Sequence, residues 1–178
     1  MGNSKWSWWR RLTHREQGRL PWRTVVYAAL GAGVTIGLLA LLNQVSGMPA
    51  LEAAFGSSCI LVFLMPQAPV SQPINVIGGH LLSALIGVAV RAVMPTTWWS
   101  LGLAVALSLA VMAILRVTHP PAGGDPIAIL LSDAGWLPLM GQIALGTLII
   151  VASGALSRYL MRSVYRDPRP DAQTENSR

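Results

Sequence analysis

The residues best able to do chemistry lie in one stretch, Arg116-Val117-Thr118-His119-Pro120-Pro121-Ala122-Gly123-Gly124-Asp125-Pro126. Arginine stays charged at any relevant pH and grips oxyanions through a planar fork. Histidine titrates near neutral pH and can carry a proton. Arg116, Thr118 and His119 therefore suit a small anion moved with a proton. Pro120 and Pro121 are tolerated in a first helical turn, where free N–H groups attract an anion. Gly123 and Gly124 allow a ligand close to the backbone. Asp125 has the wrong sign for an anion, and reads as a partner for Arg116 or His119, or as a proton acceptor. A second set, Gln72, Asn75 and His80, offers amide donors and another ring. Each has a structural alternative. Arg116 can snorkel to headgroups, His119 and Asp125 can cap a helix, and His80 can make an interhelical hydrogen bond.

These residues are set among apolar runs, Leu101–Leu115 before and Ile127–Leu131 and Leu137–Val151 after. In a bilayer each free backbone N–H or C=O costs several kcal/mol unless protein or water satisfies it. Ionisable residues at that depth are functional candidates. The composition requires such a setting: 53% of residues are hydrophobic and 11% charged, against about 25% charged in a soluble domain. The chain reads as an integral membrane protein whose first partner is the lipid bilayer.

Of the 13 Lys and Arg, six fall in 1–23 and five in 158–178, leaving only Arg91 and Arg116 between. A nucleic-acid binder would line a folded face with such charge. Here it flanks lipid-soluble segments, the pattern of cytoplasmic ends. Both termini are expected in the cytoplasm, in a multi-pass protein of a bacterial inner membrane. No cleavable signal peptide is expected, because the first apolar run starts only at Val25 and is long enough to span. The single cysteine, Cys59, reads as inert packing. No HExxH, GxSxG or Walker pattern is present, so neither an enzyme nor an ATP-driven pump is expected. No ligand spacing suggests a metal, and no cofactor is implied.

Three regions follow: a basic, Trp-rich interfacial tail over 1–23, a transmembrane domain over 24–160 and a polar tail over 161–178. The fold class is all-α, a polytopic helical bundle. Two halves share one order: long span, short Pro-interrupted piece, long span. The first runs 24–42, 51–65, 74–94; the second roughly 98–115, 120–133, 137–159. Paired broken segments in corresponding positions point to a transporter site. Six crossings with inverted halves, or four with re-entrant pieces, both fit, and six are favoured. Arg91 and Arg116 fall on opposite sides in either. Gly33 and Gly37 form a GxxxG pair, expected to pack inside the protomer rather than form a dimer face. Homo-oligomerisation is left open. Glu52 and Asp133 read as interfacial.

Thr118–Pro126 resembles the signature of the HPP family of membrane proteins. Phe55-Gly56-Ser57-Ser58, Pro69-Val70-Ser71-Gln72-Pro73 and Asn75-Val76-Ile77-Gly78-Gly79-His80 resemble that family's other shared block. Ser71 stands where an alanine is usual, and Asp125 where a neutral residue is common. The resemblance implies four or more spans and, from plastid and cyanobacterial relatives, nitrite transport. The expected function is a transporter or channel for a small inorganic anion, nitrite first, with a proton as candidate co-substrate. The alternative is a non-transporting membrane scaffold or sensor.

Overall fold

The computed structural model describes residues 17–46 and 53–162, with Thr13 and Arg15. Most of the basic N-terminal tail, Glu52 and the C-terminal tail lie outside the described residues. Among the described residues six α-helices follow in order: α1 (Trp22–Ser46), α2 (Ala53–Cys59), α3 (Pro73–Val93), α4 (Trp98–Ile114), α5 (Asp125–Leu131) and α6 (Trp136–Leu160). No strand occurs among the described residues. The protein is an all-α membrane bundle. Helices α1, α3 and α6 are long and apolar enough to cross a bilayer.

The two short helices are where the sequence breaks. Helix α2 has seven residues and passes into a five-residue π-helix, Ile60–Leu64. Together they reach about 18 Å at about 1.5 Å per residue, short of a hydrocarbon core of about 30 Å. Pro66, Pro69 and Pro73 then prevent a continuous helix. Helix α5 also has seven residues and is preceded by a 3-10 turn, Pro120–Gly124. Pro73 at the first turn of α3 and the Thr97/Ser100 capping box of α4 mark clean helix starts.

Close contacts at small residues fix the directions, as expected where lipid removes the hydrophobic drive for helix association. Gly146 and Gly154 of α6 face Phe55 of α2 and Val62 of the π-helix that continues it, in that order, so the two segments run parallel. Gly79 and Gly87 of α3 face His119 and then Pro126, so the 119–131 segment runs alongside α3 in the same direction. The four-residue turn after α3 sends α4 back, and Met112 of α4 reaches Gly79. Gly31 of α1 faces Phe63, and both line one groove with Ser157 and Leu160. The start of α1 and the end of α6 therefore share one end of the bundle, the tail end. The six elements alternate in direction. Arg116 follows α4 at the tail end, and Arg91 lies in the last turn of α3 at the other.

One expectation is corrected. Among the described residues, Gly33 and Gly37 meet nothing within 4 Å of an added Cβ, so they pack against none of the other described helices. The close approach on α1 belongs to Gly31 instead. The 100° step per residue puts the GxxxG pair on the other side of the helix from Phe63.

Arg91 has a structural job. Its Nη1 donates to the Ile129 carbonyl (3.2 Å) and the Ala134 carbonyl (2.9 Å). Ile129 lies in the last turn of α5, where helical carbonyls lack intrahelical donors, and Ala134 in the turn that follows. Thr96 Oγ1 donates to the neighbouring Leu130 carbonyl. Arg91→Met should lower stability by about 2 kcal/mol, the usual range for hydrogen bonds from a charged donor. Thermal unfolding in detergent measures this, and an unchanged melting point would deny the staple.

Candidate functional site

Helix α3 carries His80 seven residues after Pro73, about 10 Å below the tail end. Its N-terminal half is lined with small residues, so the broken 115–125 segment lies directly against it. An added Cβ at Gly79 would sit 2.8 Å from His119 Cβ and 3.0 Å from the Val117 carbonyl. Asn75 Nδ2 donates to the Thr118 carbonyl (3.0 Å), and Ser83 Oγ to the Ala122 carbonyl (2.6 Å). The first satisfies a carbonyl that the non-helical stretch leaves free, which a bilayer requires, and the second joins the Asp125 N–H on the Ala122 carbonyl. They also deliver His119 and Asp125 to His80.

The result is a closed chain of polar side chains. His80 Nδ1 is 2.7 Å from Asp125 Oδ2. His80 Nε2 is 2.8 Å from Ser58 Oγ, and His119 Nε2 is 3.0 Å from the same oxygen. His119 Nδ1 lies 2.7 Å from the Val70 carbonyl. A carbonyl only accepts, so His119 Nδ1 carries a proton. Ser58 Oγ is also 3.0 Å from the Ala54 carbonyl one helical turn back. The two rings are 5.1 Å apart between centroids, and Phe55 packs edge-on against His80 at 5.6 Å. Ser58, His80, His119 and Asp125 are all fully buried, each 0% exposed. Asp125 Oδ1 is buried without a hydrogen-bond partner among the described residues.

Four elements contribute. Ser58 comes from α2, His80 from α3, His119 from the turn before the 3-10 helix, and Asp125 from the start of α5. The arrangement can hold, share and pass protons. Every link is a hydrogen bond between groups that both give and take one, apart from the terminal Val70 carbonyl.

The sequence-predicted residues fall into three groups. His80, His119 and Asp125 are brought together, with Asp125 paired to His80 rather than to Arg116 or His119. Asn75 and Thr118 hold the broken stretch through a side chain and a carbonyl. Arg116, Gln72, Gly123 and Gly124 are not drawn into the cluster. Arg116 and Gln72 are exposed, and the two glycines are half-buried on the 3-10 turn. Arg116 also has φ 59°, a left-handed conformation that reverses the chain after α4. His119 does not cap the turn that follows it, because its side chain makes no cap hydrogen bond. Ser58 was missed. A serine in an apolar run carries no chemical signal by itself, and only its place in the block around Phe55 singled it out.

The same shared block and the His-Pro-Pro signature are matched as a whole. The model of the HPP transmembrane region matches residues 17–166. The chain belongs to the HPP transmembrane family. A transmembrane protein of Dictyostelium discoideum is 34% identical over 84 residues, 45% of this chain and 30% of that protein. A second transmembrane protein of the same organism is 27% identical over 114 residues, 60% of this chain and 37% of that protein. The HPP chain thus spans about a third of the length of these two relatives. No solved structure matches it.

Proposed function

We propose that this HPP-family chain is a transporter or channel for a small inorganic anion, nitrite first, which moves together with a proton. The observation that carries the reading is the Ser58-bridged pair of His80 and His119, with Asp125 behind it, sealed among apolar helices. Burying ionisable groups in a membrane domain is costly, and such groups mark substrate and proton pathways. The likeness to nitrite-linked relatives supports the choice of anion.

The charges support coupling. A carboxylate alone would repel an anion from the cluster. With a proton taken up the cluster gains positive charge, so proton and anion favour each other's entry. Arg116 stands exposed at the tail end, three residues before His119, where a fixed cation concentrates anions at a mouth. The basic tails support a cytoplasmic position for that mouth, in a bacterial inner membrane. In this reading the chain makes and breaks no covalent bonds, and it needs no cofactor.

The test is uptake into proteoliposomes of the full chain, with nitrite, nitrate, formate and chloride compared under an imposed pH gradient. Nitrite uptake that follows the gradient and collapses with a protonophore is the expected result. The enclosure of the four side chains supports a second reading, a membrane scaffold or sensor in which they only hold helices together. Absence of flux for all four anions under every gradient would select it.

A further inference from the structure

Ser58 has one proton and three acceptors within reach: His80 Nε2, His119 Nε2 and the Ala54 carbonyl. That sets which proton counts the cluster can hold. Suppose Asp125 is a carboxylate and both rings are neutral. His119 then carries its proton on Nδ1, facing Val70, and His80 carries its own on Nδ1, facing Asp125. Both Nε2 atoms present lone pairs to Ser58, which can satisfy only one, so a buried acceptor is left bare. Leaving a buried acceptor without a donor disfavours that state.

One more proton removes the conflict. It is counted on His80 Nε2, while the 2.7 Å bond between Asp125 and His80 keeps the single proton it already held. His80 Nε2–H then donates to Ser58 Oγ, Ser58 donates to His119 Nε2, and His119 donates to Val70. The cluster is neutral and every link runs one way. The unpartnered Asp125 Oδ1 fits this state, since a carboxylic acid leaves a carbonyl oxygen there rather than a bare charge.

A second added proton fits equally well. It binds His119 Nε2, and both rings then donate to Ser58 Oγ, whose two lone pairs accept them. The Ser58 hydroxyl turns to the Ala54 carbonyl at 3.0 Å, the same distance as its former partner. No heavy atom has to move.

We infer that Ser58, His80 and His119 form a one-proton binding site whose switch is the rotation of the Ser58 hydroxyl between His119 and the Ala54 carbonyl. The inference deepens the proton-coupled reading above and rests on it for its purpose, though not for its test. The cationic state presents two N–H donors converging on one oxygen position. The donor–oxygen distances of 2.8 and 3.0 Å suit a single oxygen of a monoanion taking the place of the serine, so the substrate class is small oxyanions.

The acids and bases facing the site are few. Helix α3 presents His80, the turn presents His119, and α5 presents Asp125. Cys59 on α2 is turned into the apolar cluster with Ala28 and Leu39. The buried polar side chains of α1, α4 and α6 are hydroxyls and the amide of Gln142. Arg116 is exposed on the turn, and Arg91 and Arg158 lie near helix ends.

Nitrogen-15 NMR of the histidine rings, on the full chain in nanodiscs with His14→Gln to remove the third histidine, reads the site without any gradient or solute. At the high-pH side of the transition, His119 is expected with Nδ1 protonated and Nε2 bare, and His80 with Nε2 protonated. Below it, both His119 nitrogens should be protonated while His80 Nε2 is unchanged. Ser58→Thr should reproduce this, and Ser58→Ala should bind the added proton at least tenfold more weakly. A bare Nδ1 on His119, or Ser58→Ala binding as tightly as wild type, would overturn the inference. If Ser58→Ala does not fold, the two tautomers in wild type and Ser58→Thr decide alone. Expected tautomers without anion flux would sink the transport reading and keep the proton site; flux with the wrong tautomers would do the reverse.

Discussion

His119→Ala is expected to lower proton-driven nitrite uptake about 100-fold or more, the scale on which a positioned proton carrier acts. The ring joins Ser58 to the Val70 carbonyl, so its loss cuts the chain at its tail-end link. Folding should survive. Ser58 keeps the Ala54 carbonyl as a partner, and the exposed cost is the Val70 carbonyl, about 1–3 kcal/mol. Asp125→Asn is the companion measurement. An amide can still bond His80 Nδ1 but holds no exchangeable acid proton, so uptake should lose its dependence on the pH gradient. Arg116→Ala, by contrast, should reduce uptake only a few-fold and in a salt-dependent way, because the side chain is exposed and screened. Initial rates in proteoliposomes, normalised to the melting temperature of each variant, separate the three. Wild-type, gradient-driven uptake by His119→Ala would remove the cluster from the transport path.

Gly79→Val should all but eliminate folded protein. Its Cβ alone would lie 2.8 Å from His119 Cβ and 3.0 Å from the Val117 carbonyl, atoms fixed by the backbone. Overpacking of this kind costs about 1–3 kcal/mol, occasionally more, and two further methyl groups add to it. The Asn75 and Ser83 bonds to the 118–122 backbone would be strained in the same movement, so a loss of 3 kcal/mol or more is expected. Gly33→Ala is the contrast. Nothing lies within 4 Å of its added Cβ, and alanine in a helix gains about 0.5–1 kcal/mol over glycine. Yield and melting temperature in detergent measure both. A well-folded Gly79→Val, or a Gly33→Ala as damaged, would mean that the helix faces are assigned wrongly.

Much of the architecture was legible before any coordinates. Apolar runs of spanning length, Pro-broken short segments and tail-borne charge determine a helical membrane bundle, because lipid satisfies no unpaired backbone group and helices pair their own. The same rule singled out 116–126, since histidine, acid and glycine there need a reason. His80, His119 and Asp125 were all marked by type and setting. The identity of the partners was not legible. Asp125 pairs with His80, 45 residues away, and Ser58 bridges two rings 22 and 61 residues distant. No local spacing encodes such pairings. They follow from Gly79 and Gly87 letting the broken segment lie on α3.

Arg116 shows the other limit. Its charge and its nearness to His119 suggested joint work, but a left-handed φ at Arg116 ends the α4 direction and leaves the side chain exposed while His119 turns inward. The GxxxG pair failed for a similar reason. A motif gives spacing along a helix, whereas the neighbour it meets depends on which face tertiary packing turns inward. The amino-acid sequence by itself determined the bilayer setting, the breaks and the ionisable groups, all through the local cost of polarity in lipid. Only the tertiary structure decided which of those groups share a proton, because hydrogen-bond partners are chosen by distance in space.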